Sequence, residues 1–126
     1  MKNGSISGSE LELLKILWRK APLTVPELME RVQAVCDWEE STVKTLLARL
    51  VDKGAVQQCG RKRFYSYVPL LSREEYREEA GGRLAEQAFD CDYGELVSFF
   101  VRKGKLSPED IAELKRQLEE IEHDAE

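Results

Sequence analysis

The sequence predicts a mainly helical chain with one small β-hairpin. Three observations carry that reading. Capping-box patterns recur at helix starts, apolar residues step by three and four along most of the 126 residues, and one short aromatic and β-branched run alternates instead.

The first helix is announced by Ser7-Gly-Ser-Glu10, where the serine can accept from an orphan backbone N–H and the glutamate can reach back. Leu11, Leu14, Leu17 and Trp18 follow at helical spacing, and Ala21-Pro22 closes the segment because a residue before proline avoids helical geometry. Thr24-Val-Pro-Glu27 opens a second helix, continued on one face by Leu28, Val32 and Val35. Cys36 to Glu40 reads as a short connection. The third helix runs to about Lys53 on Val43, Leu46, Leu47, Leu50 and Val51, with Gly54 placed as its C-terminal cap.

Two extended runs come next, Ala55–Cys59 and Arg63–Pro69, joined through Gly60-Arg-Lys. They read as a hairpin with a basic tip. Three helices followed by such a hairpin is the order of a winged helix-turn-helix, assigned to residues 1–71. Residues 72–126 read as a helical dimerisation region. Ser72-Arg-Glu-Glu75 opens a helix whose middle Gly81-Gly82 weakens, favouring a kink or a close helix contact. Leu84 and Phe89 extend its apolar side. Leu96, Phe99 and Phe100 mark a short helix ending near Gly104. Ser107-Pro-Glu-Asp110 opens the last helix, whose seam is Ile111, Leu114, Leu118 and Ile121.

The net charge of −5 is unevenly placed. Residues 1–71 carry 11 Lys and Arg against 8 Asp and Glu, whereas residues 72–126 carry 8 against 16. One part can therefore face phosphate while the acidic part stays off it. On the third helix the face opposite the apolar one carries Ser41, Thr42, Lys44, Thr45, Ala48 and Arg49. The major groove admits a helix, and these side chains supply donors and acceptors for base edges and phosphates. Ser41, Thr42, Lys44, Thr45 and Arg49 are the candidate DNA-reading residues. Glu39 and Glu40 complicate the start of that helix, as caps, as acceptors from cytosine, or as repulsion. Arg61, Lys62 and Arg63 at the hairpin tip, with Tyr65, are the candidate backbone contacts.

Other chemistry finds little support. His123 is the only histidine and sits in an acidic tail, no glycine-rich phosphate loop occurs, and no catalytic residue or cofactor is expected. Cys36, Cys59 and Cys91 are odd in number and form no CxxC pair, so free thiols are the plain reading and no metal site is expected. A thiol- or metal-responsive sensor using these cysteines is one rival function, and a protein-binding winged-helix module without DNA is another. The stretch from Met1 to Gly8 is polar and no apolar run could span a membrane, so a cytoplasmic protein is expected.

Ser7 to Trp18, Pro22-Leu-Thr24, Trp38, the stretch from Ser41 to Gly54, Phe64 to Pro69 and Leu106 to Leu114 together resemble the penicillinase-repressor family, of the BlaI, MecI and CopY type. The resemblance covers about Ile6 to Ile121. It implies a dimeric winged-helix repressor binding palindromic operators upstream of β-lactamase, resistance or copper-homeostasis genes. It also implies intertwined C-terminal helices, a role that would fall to Tyr76, Leu84, Leu96, Phe99, Phe100, Ile111, Leu114 and Leu118. Antibiotic-responsive members are cut by a protease at an Asn-Phe bond, and the matching positions here are Phe99-Phe100, without the asparagine. Copper-responsive members carry paired CxC motifs, against which this chain has Cys91 alone. The inducing signal, the operator and the regulated genes are left open.

Overall fold

A computed structural model describes residues 5–125. Met1–Gly4, the start of the polar N-terminal stretch, and Glu126 lie outside the described residues. The elements are α1 (Gly8–Arg19), β1 (Leu23–Thr24), α2 (Val25–Val32), α3 (Glu40–Asp52), β2 (Val56–Cys59), β3 (Ser66–Pro69), α4 (Arg73–Phe89), α5 (Tyr93–Arg102) and α6 (Pro108–Ala125). The chain divides into two compact units between Glu79 and Ala80.

The first unit is a three-helix core closed by an antiparallel sheet of order β1-β3-β2. Its helices start where the capping boxes put them. Ser7 N donates to Glu10 Oε1 at 2.8 Å while Glu10 N donates to Ser7 Oγ at 3.2 Å. Thr24 with Glu27 and Ser72 with Glu75 repeat the exchange at α2 and α4. Each such exchange satisfies two of the orphan N–H groups at a helix start. α3 ends in a Schellman motif: Gly54 takes φ 76°, Ala55 N donates to Leu50 O and Gly54 N donates to Val51 O.

Leu13, Leu14 and Leu17 of α1, Leu28 and Val32 of α2, and Val43, Leu47 and Leu50 of α3 are essentially inaccessible and form the core with Leu23, Val56 and Tyr67. Cutting one such leucine to alanine costs about 2–5 kcal/mol. Two details depart from the sequence reading. α2 stops at Val32, and Val35 stands 67% exposed in the turn beyond it, because Val35 N closes a tight turn onto Val32 O. β1 is a strand the sequence pattern does not reveal; it pairs Leu23 with Tyr67 and Thr24 with Ser66.

Tyr76, grouped with the dimerisation residues from sequence, packs in the first unit, its ring 6.0 Å from that of Trp18. The first two turns of α4 lie in the first compact unit. α4 continues unbroken through Gly81 and Gly82, and a Cβ at either position would meet open space.

In the second unit Ala85 is the one apolar side chain fully buried among the described residues, while Leu84, Phe100, Ile111 and Leu118 are 41–60% exposed. Leu96, Phe99 and Leu114 are half-buried. The Phe99 ring meets Phe89 and Phe100 edge-on and carries Lys103 Nζ over its face. α6 begins where Ser107-Pro-Glu-Asp110 put it, and there Ser107 N donates to Asp110 Oδ2 while Asp110 N donates to Ser107 Oγ.

Candidate nucleic-acid interface

α3 turns Val43, Leu46, Leu47 and Leu50 inward, which leaves Ser41, Thr42, Lys44, Thr45, Ala48 and Arg49 exposed. The division follows from the helical repeat alone. Ser41, Thr42, Thr45 and Arg49 line one shallow groove along the helix. Thr45 Oγ1 donates to Ser41 O at 2.9 Å. That bond occupies the hydroxyl proton and leaves the oxygen free to act as an acceptor. Lys44 Nζ lies 3.1 Å from Glu40, one turn earlier on the same exposed helix. Glu40 is thus the ion-pair partner of Lys44, a role outside the three considered for it from sequence. Glu39 occupies the N-cap without making a side-chain cap.

The wing is built by β2 and β3, which pair Cys59 with Ser66 at the end closed by the loop. Residues 60–65 form the loop, and Arg61, Lys62 and Arg63 are all exposed on it. The loop is tight. Phe64 N donates to Arg61 O at 2.7 Å. Gly60 takes φ 94°, and a Cβ there would fall 2.5 Å from Phe64 O, so only glycine fits. Arg63 itself adopts φ 79°, an uncommon conformation for a side-chain-bearing residue. β3 begins at Ser66, so Arg63, Phe64 and Tyr65 belong to the loop and not to the strand expected from sequence.

Between α3 and the wing lies a groove of about 580 Å³. Lys44 reaches it from α3, and Arg63, Phe64 and Tyr65 reach it from the wing. No carboxylate lines it. Tyr67 forms part of its wall, and burial pushes that phenol above its ordinary value, with Tyr65 adding to the effect, so Tyr67 stays a neutral hydroxyl. The groove joins two sets of residues that the sequence singled out separately. Arg61 and Lys62 do not line it. Thr24, Gln58 and Phe64 do, and sequence reasoning passed over them. Phe64 is 78% exposed. Its place in a hairpin tip beside three cations was the available signal.

Cys36 and Cys59 are half-buried, Cys91 is exposed, and all three are free. No cluster of three metal-binding side chains occurs among the described residues. No described helix is long and apolar enough to cross a membrane.

The description of the penicillinase repressor family matches residues 6–120. The chain belongs to that family. Among related members, the penicillinase repressor of Bacillus licheniformis is 29% identical over 115 residues, 91% of this chain and 90% of the relative. The methicillin resistance regulatory protein MecI of Staphylococcus aureus strain N315 is 27% identical over 117 residues, 93% of this chain and 95% of the relative. Among solved structures, the DNA-binding domain of the repressor BlaI is 30% identical with a TM-score of 0.54, covering 60% of this chain and 94% of that domain. The monomeric form of Bacillus licheniformis BlaI in complex with the blaP half-operator is likewise 30% identical, with a TM-score of 0.51 and the same coverage. The first unit of this penicillinase repressor family member therefore has the winged-helix fold of its relatives.

Proposed function

We propose that this chain is a homodimeric transcriptional repressor that binds a palindromic operator in duplex DNA. α3 enters the major groove, where Ser41, Thr42, Thr45 and Arg49 meet base edges, and Lys44 meets phosphate. The wing lies along the backbone, with Arg61, Lys62 and Arg63 neutralising phosphates and Tyr65 packing on the sugar edge. The observation that carries the reading is the acid-free groove shared by Lys44, Arg63 and Tyr65, which sets the helix and the wing to face one ligand. The likeness to a BlaI domain solved with its half-operator supports it.

Two copies assemble through the second unit. Its exposed Leu84, Phe100, Ile111 and Leu118, with the half-buried Leu96, Phe99 and Leu114, find little cover within one chain. An apolar surface of that kind is what an obligate partner buries. Dimer symmetry then sets the spacing of the two half-sites. The protein acts in the cytoplasm, has no catalytic activity, and controls genes of the β-lactam-resistance type or other stress and homeostasis genes.

The test is binding to a fluorescent library of duplex DNA across a salt series, with mass followed by light scattering. Selection of a palindrome by a dimer, with affinity falling steeply as salt rises, is the expected result. A folded dimer that shifts no DNA at low salt sinks the reading and turns attention to protein partners.

A further inference from the structure

Four cations converge on one groove of the first unit. Lys15 and Arg19 lie four residues apart on α1, and Arg73 and Arg77 lie four residues apart on α4. With Trp18 and Tyr76 they line a groove that no carboxylate lines, and that shares no lining residue with the grooves at α3 and the wing. Like charges four residues apart on a helix repel. Two such pairs facing one groove add to that cost. The floor is aromatic and held in place. Trp18 Nε1 donates to Leu71 O at 2.9 Å, Tyr76 packs on the Trp18 ring, and the Arg73 guanidinium sits 5.5 Å from its centroid. Lys15 has Glu12 at 3.7 Å, but that pair is solvent-exposed and Glu12 does not line the groove.

We propose that this groove binds a small phosphorylated anion carrying two or more negative charges. A monoanion would offset little of four positive charges. A phosphate monoester carries about −1.5 to −2 at neutral pH and offers three acceptor oxygens. Three of the four cations are arginines, whose planar forks hold such oxygens in pairs. The aromatic floor shields one side of the ligand from water and so strengthens each contact. A seated ligand ties α1 to the first two turns of α4, the helix that continues through Gly81-Gly82 into the second unit. The inference goes beyond the DNA-binding reading, and its test uses no operator, so either can fail alone.

The readout is Trp18 emission in the full chain carrying Trp38→Phe, which leaves Trp18 as the sole tryptophan. Pyrophosphate is titrated at constant ionic strength, with acetate as the singly charged control. The expected result is a saturable change with pyrophosphate and none with acetate. The dissociation constant should rise about tenfold or more in each of Arg77→Gln and Lys15→Gln, both at exposed positions. The Nε–Hε signals of Arg73 and Arg77 in the unsubstituted chain read the same titration without touching Trp38. No saturable response in either measurement, or equal affinity in the variants, overturns the proposal. A response to a short duplex of arbitrary sequence but not to pyrophosphate also overturns it, and makes the groove a contact for a nucleic-acid backbone.

Discussion

The carboxylate of Glu10, 1% exposed, accepts a hydrogen bond from Lys53 Nζ at 2.5 Å. Glu10 stands in the first turn of α1 and Lys53 is the C-cap of α3, so the pair fastens the start of one core helix to the end of another. Lys53 Nζ also donates to Ser5 O at 2.8 Å, and Glu10 keeps its capping bond from Ser7 N. Two of the three ammonium N–H donors of Lys53 therefore have acceptors at this junction.

Burial opposes ionisation of Glu10, but the hydrogen bond from Lys53 and the cap from Ser7 outweigh it and hold the carboxyl below its ordinary value of 4.5. A depressed carboxyl contributes stability above its unfolded value and loses it as the pH falls through the lower folded value. Unfolding monitored by tryptophan emission should therefore show stability dropping below about pH 4.5, in a window that Glu10→Gln removes. At neutral pH the same substitution should cost about 1–3 kcal/mol, because the Lys53 ammonium loses its charged partner. A variant as stable as the parent at both pH values would show the pair to be ornamental.

Gly60→Ala tests the wing. Its new Cβ would meet the Phe64 carbonyl at 2.5 Å, and its φ of 94° suits only glycine. The loop must rearrange, at a cost of about 1–3 kcal/mol if the strain were confined there. DNA affinity measured by fluorescence anisotropy should fall, while the helical content seen by circular dichroism stays constant. Unchanged affinity would mean that the wing does not touch DNA.

The helix and the wing should fail in different ways. Arg61→Ala should weaken binding to every sequence and reduce the salt slope by about one. Thr45→Val, which keeps the side-chain shape but loses the hydroxyl bonded to Ser41 O, should instead alter the preference among duplexes. Library selections at two salt concentrations separate the outcomes. Equal changes in both variants would contradict the division of roles between α3 and the wing.

Leu118 is 60% exposed on α6, so Leu118→Asp should leave a single chain almost unaffected. Within an apolar interface between copies, a carboxylate at this position is unpaired and desolvated. Light scattering should report a shift from dimer to monomer, and operator affinity should fall as the two half-sites are no longer bound together. A variant that remains dimeric would move the interface off this seam.

Much of the fold was legible because its signals are local. A capping box spans four residues, so Ser7, Thr24 and Ser72 could each be read without knowing the rest of the chain. The apolar repeat of α3 set its inner face, and with it the outer face of Ser41, Thr42, Thr45 and Arg49. Gly54 marked the helix end because a Schellman cap needs a left-handed residue.

What tertiary structure decided were the meetings between residues far apart along the chain. Glu10 was visible as a cap, but its burial and its pairing with Lys53, 43 residues away, follow only from the packing of α1 against α3. β1 has two residues, too few for any alternation, and exists because β3 offers Tyr67 and Ser66 as partners. Tyr76, to which the family resemblance gives an interface role, packs on Trp18, whose indole N–H is drawn to Leu71 O. Periodicity states which side of a helix is apolar; only the folded chain states what that side meets.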